Sequence, residues 1–130
     1  IVALNFVINA HFLPRLLNYQ SAGQAGRMAN KMAPGNTLLA YKTHNHSLDF
    51  YAQRLSTYHY DVRQVMDSVE AGTQPLVFTN AEGLRDIRAT GIDFTIIERY
   101  EHYPVSLLRP GFLNPATRGR YLRERYLLQL

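Results

Sequence analysis

Short apolar runs of strand length alternate with amphipathic helical segments from residue 21 onward, and this alternation constrains the fold more than any other feature of the sequence. Apolar positions recur at helical spacing in residues 21–32, and residues 37–42 follow as a short buried strand. Helical segments starting near residues 47, 62 and 81 then alternate with apolar runs at residues 57–60 and 75–79. The pattern predicts right-handed crossovers and an α/β fold, a three-layer Rossmann-like sandwich with a mainly parallel sheet.

Capping and stop signals mark where the predicted helices begin and end. Ser21 and Ser47 are predicted N-caps, and Asp61 with Gln64 three residues later forms a capping box. Gly72 and Gly91 follow the last periodic residues of two helices and are predicted stop positions.

The carboxyl-terminal third is less regular. Residues 92–106 are rich in strand-forming residues, and residues 114–117 (Asn-Pro-Ala-Thr) are typical of the cap and first turn of a short helix. Residues 125–130 are compatible with a strand or with a helix end. We predict an antiparallel strand at the edge of the sheet.

The amino-terminal stretch differs in character from the rest of the chain. Residues 1–18 are mostly apolar, but Asn5, Asn9 and Arg15 are among the polar residues that interrupt them, so the stretch falls short of the ~20 apolar residues that a membrane span needs. The chain opens on Ile1 without an initiator Met or a basic leader. We therefore expect residues 1–18 to be the trailing end of a membrane-proximal segment or linker, and residues 19–130 to form one soluble α/β domain, since 46% hydrophobic and 18% charged residues argue against disorder.

The most suggestive polar cluster follows the first predicted strand. His44, His46 and Ser47 lie where the carboxyl ends of parallel strands collect ligands, which makes this loop a candidate ligand-binding site. With Asp49 nearby the two imidazoles can hold zinc, but the spacing matches no established zinc signature, and an ordinary surface loop before a helix explains the same residues. We predict no metal here, and Ser47 is explained by helix capping.

Motifs for catalysis are missing from the sequence. There is no Cys, no Gly-x-Ser-x-Gly elbow and no Gly-x-Gly-x-x-Gly or Walker loop. Glu98 and Glu101 lie three apart on a predicted strand, so their side chains point to opposite faces and cannot flank one bond. The sequence therefore predicts no complete catalytic site and no cofactor within this chain.

Arginine dominates the positive charge. Twelve Arg and two Lys give a net charge of +4, and arginine is the planar, bidentate donor that suits phosphate and carboxylate groups. The tail after residue 108 sets five of these arginines against Glu124 alone. The functional interpretation is a phosphate-bearing partner such as a lipid headgroup, bound by Arg118, Arg120 and Arg123, and the alternative is a solvated basic surface. Nucleic acid is not expected as a partner.

Three segments together resemble a known family. They are Phe12-Leu13-Pro14 with Leu17, Tyr19 and Gln20, then Tyr103-Pro104-Val105-Ser106, and lastly residues 112–118 (Phe-Leu-Asn-Pro-Ala-Thr-Arg). The chain is similar to the C-terminal soluble domain of bacterial polytopic, lipid-carrier-dependent glycosyltransferases, the class of the dolichyl-phosphate-mannose protein mannosyltransferases and of the lipid A aminoarabinose transferase.

The resemblance implies a specific setting for this chain. In such enzymes an N-terminal membrane domain of the same chain precedes a periplasmic α/β domain, the donor is a polyprenyl-phosphate sugar, and the catalytic Asp lies in an early loop outside this sequence. The expectation is an accessory, membrane-anchored extracytoplasmic domain near donor and acceptor, with any divalent metal bound elsewhere in the parent enzyme. The alternative function is a free-standing α/β ligand-binding module whose site is the His44–His46 loop.

Overall fold

Helices and strands alternate through most of the chain in the computed structural model, which describes residues 1–104 and 109–130. The strands are β1 (Leu38–Tyr41), β2 (Thr57–His59), β3 (Leu76–Asn80), β4 (Thr95–His102) and β5 (Arg123–Gln129). The helices are α1 (Val2–Val7), α2 (Leu13–Leu17), α3 (Ser21–Met32), α4 (His46–Ala52), α5 (Val62–Glu70), α6 (Ala81–Ala89) and α7 (Pro110–Leu113). A π-helical turn (Ile8–Phe12) joins α1 to α2, and a 3-10 turn (Arg118–Arg120) precedes β5.

The five strands form one sheet in the order β2-β1-β3-β5-β4. The first three strands pair in parallel, whereas β5 pairs antiparallel with both β3 and β4, so that β4 runs in the direction of the first three. Helices α3 and α4 cover one face and α5 and α6 cover the other. The predicted α/β class, the three layers and the mainly parallel sheet are confirmed.

The last strand is antiparallel, as predicted, but its position at the edge is wrong. Strand β5 lies between β3 and β4. Its consecutive residues Tyr126, Leu127 and Leu128 are all buried, as expected for a central strand that has helices on both faces of the sheet and a neighbouring strand along each edge. Strand β4 takes the edge instead, and its exposed Glu98, Arg99 and Glu101 are typical of edge strands.

Two apolar cores hold the layers together. Leu38, Ala40 and Phe78 point from the sheet toward α3 and α4, and the alternate residues Leu39 and Val77 point toward α5 and α6. Each central strand is therefore buried on both faces, which explains why it appears in the sequence as a continuous apolar run.

The predicted stops at Gly72 and Gly91 are confirmed, since both glycines have a positive φ just after the ends of α5 and α6. Of the three predicted start signals, one is confirmed and two are wrong. The capping box is confirmed, since Asp61 Oδ1 accepts from Arg63 N at 2.9 Å and Gln64 Oε1 accepts from Asp61 N at 3.3 Å. Ser47 is not the cap of α4, because Asn45 occupies that position and its side-chain oxygen accepts from Ser47 N at 2.9 Å. Ser21 is the first residue of α3 and not its cap, and its hydroxyl is hydrogen-bonded to His102.

Residues 2–17 are helical throughout, and their apolar side chains are largely exposed. Val2, Leu4 and Phe6 are 84%, 63% and 70% exposed, and Leu16 is the one buried residue of the stretch. Leu16 packs with Tyr103 and Phe112 in a small third core, which we call the docking cluster. Within the described residues, no helix combines the length and apolar character needed to cross a bilayer.

The short helix predicted at residues 114–117 is displaced toward the amino terminus. Helix α7 begins at Pro110 and ends at Leu113, because Pro is favoured in the first turn of a helix and Asn114 Oδ1 then accepts from Ala116 N at 3.0 Å to form a turn. Two positions of the resemblance, Val105 and Ser106, lie outside the described residues, as does the end of the β-rich stretch, of which Thr95–His102 is strand.

Candidate functional site

The carboxyl ends of β1 and β3 meet at a topological switch point. Helix α4 leaves β1 toward one face of the sheet and α6 leaves β3 toward the other, which is where open α/β sheets bind ligands. Lys42, with a φ of 54°, lies at this point and donates to Glu82 Oε1 at 2.7 Å and to Asp86 Oδ2 at 2.6 Å. The Tyr41 hydroxyl also donates to Asp86 Oδ2, at 2.9 Å.

These contacts fix the ionisation of the cluster around Lys42. Hydrogen bonds from Lys42 and Tyr41 lower the pKa of Asp86, and hydrogen bonds to Asp86 and Glu82 raise the pKa of Lys42. Burial, together with the bond to Asp86, raises the pKa of Tyr41 to about 12. Lys42, Glu82 and Asp86 are thus paired with one another, and they form an ion-pair network at the switch point.

The predicted His44–His46 loop lies next to this point, on the side of β2. His44 packs edge-on against His46, with 4.7 Å between ring centroids, and against Tyr58, with 5.2 Å between centroids. Tyr58 packs in the same way against Tyr60, at 4.3 Å. The structure thus brings His44 and His46 together in a row of four rings. Ser47 lies elsewhere, beside an apolar groove that includes Leu17 and Tyr51.

Metal coordination by this loop has little support in the geometry. Asp49 Oδ1 accepts from both the backbone N and the hydroxyl of Ser56, at 2.9 and 2.5 Å, so this carboxylate is turned toward its own helix end. Among residues 1–104 and 109–130, no group of three or more His, Cys, Asp or Glu side chains is placed to hold a metal ion.

The three arginines predicted to bind headgroups are divided between two clefts on either side of the docking cluster. Arg118 donates from Nε to Phe112 O at 2.9 Å and lies over the Phe112 ring at 5.2 Å. It therefore closes the end of α7 and packs on the docking cluster. Arg120 and Arg123 lie in the other cleft, together with Arg109.

The helix-base cleft, of about 210 Å³, lies where residues 11–19 meet α7. Its walls are apolar, its cationic groups are Arg15 and Arg118, and His11 also lines it. Tyr19 packs edge-on against Phe112, with ring centroids 5.5 Å apart, and forms part of the wall. The remaining lining residues are Phe12, Leu16 and Leu113.

The second cleft, which we call the arginine cleft, has a volume of about 290 Å³. Arg109, Arg120 and Arg123 line it, and all three are exposed. Tyr121 packs against Gly111, where a Cβ would overlap its ring, and the backbone N of Arg109 donates to the Tyr103 hydroxyl at 2.9 Å. The other lining residues are Pro104 and Leu122.

His102 lies beside the arginine cleft at the end of β4. Its Nδ1 is 2.9 Å from the Ser21 hydroxyl, and its cross-strand partner is Arg123. Burial, with the positive charges of Arg125 and Arg123, lowers the pKa of His102 to about 4. The imidazole is therefore neutral at physiological pH, next to a surface with a positive potential.

The distribution of charge along the chain explains why both clefts are basic. Residues 1–48 contain four basic residues and no Asp or Glu, and the tail from residue 109 onward contains five arginines and one acid. The docking cluster brings these two segments together, through Leu16 from the first and Phe112 from the second. The tail asymmetry was visible in the sequence, whereas the contribution of Arg15 and the pairing of Arg109 with Arg120 depend on contacts made only in the fold.

Comparison of the chain with models of protein families, with curated proteins and with solved structures finds no match.

Proposed function

We propose that this chain is an accessory domain, at the membrane surface, of a glycosyltransferase that moves a sugar from a polyprenyl-phosphate carrier to a protein, lipid or glycan acceptor. The observation that carries the proposal is the exposed apolar helix of residues 2–17, whose base docks between two arginine-lined clefts. The enzyme class rests on the three segments that resemble such transferases.

The physical argument for a membrane surface has an apolar part and an electrostatic part. Apolar side chains such as Val2 and Phe6 gain about 25 cal/mol per Å² when they leave water, and the acyl region of a bilayer provides that environment. Arginines near an anionic surface contribute about 1 kcal/mol each. The base of the helix packs on the docking cluster through Leu16, and both clefts are lined by residues of that cluster, so insertion of the exposed part of the helix brings both clefts close to the headgroups.

In this proposal the chemistry belongs to an N-terminal membrane domain of the same protein, and this chain lies on the extracytoplasmic side. The ion-pair network at Lys42 occupies the position where an α/β sheet would ordinarily bind a substrate. A supporting role beside the carrier lipid and the acceptor is therefore favoured over catalysis. A divalent metal, if the parent enzyme uses one, is assigned to that membrane domain.

Vesicle flotation tests the membrane placement. The double variant Val2→Ser with Phe6→Ser should lose most of its binding to vesicles that contain anionic phospholipid. The matched control is Phe50→Ser with Leu55→Ser, which removes apolar side chains that are 75% and 86% exposed on another part of the surface. Equal binding by the two double variants would contradict the placement.

A transfer assay tests the enzyme class. Membranes that contain the full protein should transfer sugar from a polyprenyl-phosphate donor, and Arg120→Ala with Arg123→Ala should lower the rate while the isolated chain keeps its melting temperature. Arg118 is left unchanged in this variant, because it holds the end of α7. Transfer at the wild-type rate by the double variant would remove the assigned role of these arginines.

A second candidate is a ligand-binding module at the His44–His46 loop, favoured by the row of rings formed by His44, His46, Tyr58 and Tyr60. His44, His46 and Tyr60 are exposed and Tyr58 is half-buried, and exposed aromatic rings can stack on sugar rings. A panel of mono- and oligosaccharides should then raise the melting temperature of the wild type and not that of His44→Ala. No shift with any sugar would contradict this candidate.

A further inference from the structure

We propose that the arginine cleft is a binding site for a terminal phosphate or diphosphate group, held by Arg109, Arg120 and Arg123. The assignment of that group to a lipid rests on the proposed function, whereas the site itself rests on the geometry of the cleft. Inorganic pyrophosphate and a phosphomonoester lipid share the chemistry that three guanidinium groups recognise.

All three arginines of the cleft lack a partner within the described part of the protein. In the described residues, the guanidinium groups of Arg109, Arg120 and Arg123 make no hydrogen bond or ion pair. Some other arginines are engaged, for example Arg99 with Glu124 and Arg54 with Pro34 O at 2.9 Å. Arginines such as Arg63 and Arg85 are also unpaired within the described residues, but they are dispersed, whereas Arg109, Arg120 and Arg123 line one cleft.

The positive charges of the cleft favour an anionic ligand electrostatically. Three like charges around one cleft repel one another, and no carboxylate among the described lining residues offsets them. Glu124, the one acid of the tail, is turned away, because its carboxylate accepts from Arg99 and from the Tyr126 hydroxyl. A bound dianion would offset this repulsion. On an ordinary basic surface, interspersed acidic side chains offset it instead, and no bound anion is required.

The backbone around the cleft is held in place by hydrogen bonds and packing. The Tyr103 hydroxyl accepts from Arg109 N, and Tyr103 stacks on Phe112 with ring centroids 3.8 Å apart. Arg120 N donates to Thr117 O at 3.1 Å within the 3-10 turn, and Arg123 is the first residue of β5. The three Cα atoms are thus fixed by secondary structure and by the docking cluster, and only the side chains remain to order on binding.

His102 lies close enough to Arg123 for its imidazole resonances to report an anion bound in the arginine cleft. An anion bound to Arg123 would screen the charge that disfavours protonation of this imidazole, so its pKa should rise on binding. Surface adsorption elsewhere on the chain would leave it unchanged. The imidazole resonances of His102 therefore distinguish binding at this cleft from general attraction to a positive protein.

The experiment measures binding of pyrophosphate by calorimetry and by the His102 resonances in three proteins. They are the wild type, the cleft variant Arg109→Gln with Arg120→Gln and Arg123→Gln, and a control, Lys31→Gln with Arg63→Gln and Arg85→Gln. The control loses the same three charges from exposed positions elsewhere. We expect the cleft variant to bind about a hundredfold or more weakly, since one hydrogen bond to a charged group is worth roughly tenfold, and the control to bind like the wild type.

Vesicles separate the two sources of the phosphate. Vesicles with about 10% phosphatidic acid, an anionic lipid that gives the surface a negative potential, are compared with phosphatidylglycerol vesicles of equal surface charge. A lipid-borne phosphate is supported if the wild type and the control bind phosphatidic acid vesicles more tightly than phosphatidylglycerol vesicles and the cleft variant does not. Pyrophosphate binding without that preference supports a free phosphate.

Two results would overturn the site: equal loss of pyrophosphate and phosphatidic acid binding in the cleft and control variants, or a wild type that binds neither pyrophosphate nor phosphatidic acid vesicles. The proposed function fails differently. Wild-type protein that binds pyrophosphate in the cleft but does not float with any vesicle would contradict the membrane role and leave the phosphate site intact. The single variant Arg120→Gln, with its side chain outside the sheet, replaces the triple variant if the latter does not fold.

Discussion

Lowering the pH should destabilise this protein in a window set by one histidine. His102 is wedged between Ser21 on α3 and two arginines of β5, and its pKa in the folded protein is about 4, compared with an ordinary value of 6.5. A histidine whose folded pKa is depressed favours folding while it is neutral. Its contribution is therefore present above pH 6.5 and is lost as the pH falls from 6.5 toward 4.

The size of the loss follows from the two pKa values. Between pH 7.5 and pH 4.5 the unfolded chain takes up nearly one proton at this position, whereas the folded chain takes up about a quarter of one, which corresponds to about 2 kcal/mol of unfolding free energy. The lowered pKa of Asp86 acts in the same direction but in a lower window, since its contribution is lost only below its ordinary value of 3.8.

Urea denaturation at half-unit pH steps measures this loss directly. The free energy of unfolding of the wild type should fall by about 2 kcal/mol between pH 7.5 and pH 4.5, and that of His102→Gln, which keeps a polar group for Ser21 but no proton to gain, should fall by much less. Parallel pH profiles for the two proteins would refute the reasoning, because they would show that His102 is not the group that titrates.

Two further predictions concern packing. Gly26→Ala should lower the unfolding free energy by about 1–3 kcal/mol, because the new Cβ would lie 2.6 Å from Leu48 O on α4. The control is Gly35→Ala, where the space for a Cβ is open. Equal melting temperatures of the two variants would contradict the close contact of α3 with α4. Phe112→Ala should weaken the docking cluster by about 3 kcal/mol. Because Leu16 packs in that cluster, tryptic cleavage after Arg15 should become about a hundredfold faster, whereas the exposed Leu55→Ala serves as the control. Unchanged cleavage would show that residues 2–17 are held by other contacts.

The layered fold could be predicted from the sequence because its signals are local. The helical spacing of Ala22, Ala25 and Ala29 and the capping box at Asp61 act within a few residues, and both are reproduced by the structure. Strand order depends on contacts between distant segments. The position of β5 inside the sheet was missed for that reason, although three consecutive buried residues are the pattern of a central strand.

The candidate site was less accessible to sequence reasoning. The tail arginines were visible as a charge asymmetry, but their division between two clefts depends on Phe112, which directs Arg118 onto the docking cluster. Lys42 forms ion pairs with Glu82 and Asp86, which follow it by 40 and 44 positions in the sequence. Contacts over such separations are not visible in a local pattern. The cap assigned to Ser47 failed because Asn45, two residues earlier, is an equally good N-cap. Ser21 failed as a cap for another reason: it is the first residue of α3, and its hydroxyl is hydrogen-bonded to the distant His102.

The central claim is that the helix of residues 2–17 enters the membrane surface while the sheet stays in water. Because the chain has no Cys, a single nitroxide label can be placed at Phe6→Cys or, as a reference, at Leu55→Cys. In vesicle-bound protein, accessibility to oxygen and to a water-soluble paramagnetic reagent should put the label at position 6 in the acyl region and the label at position 55 in water. Equal access of the water-soluble reagent to both labels would contradict the claim.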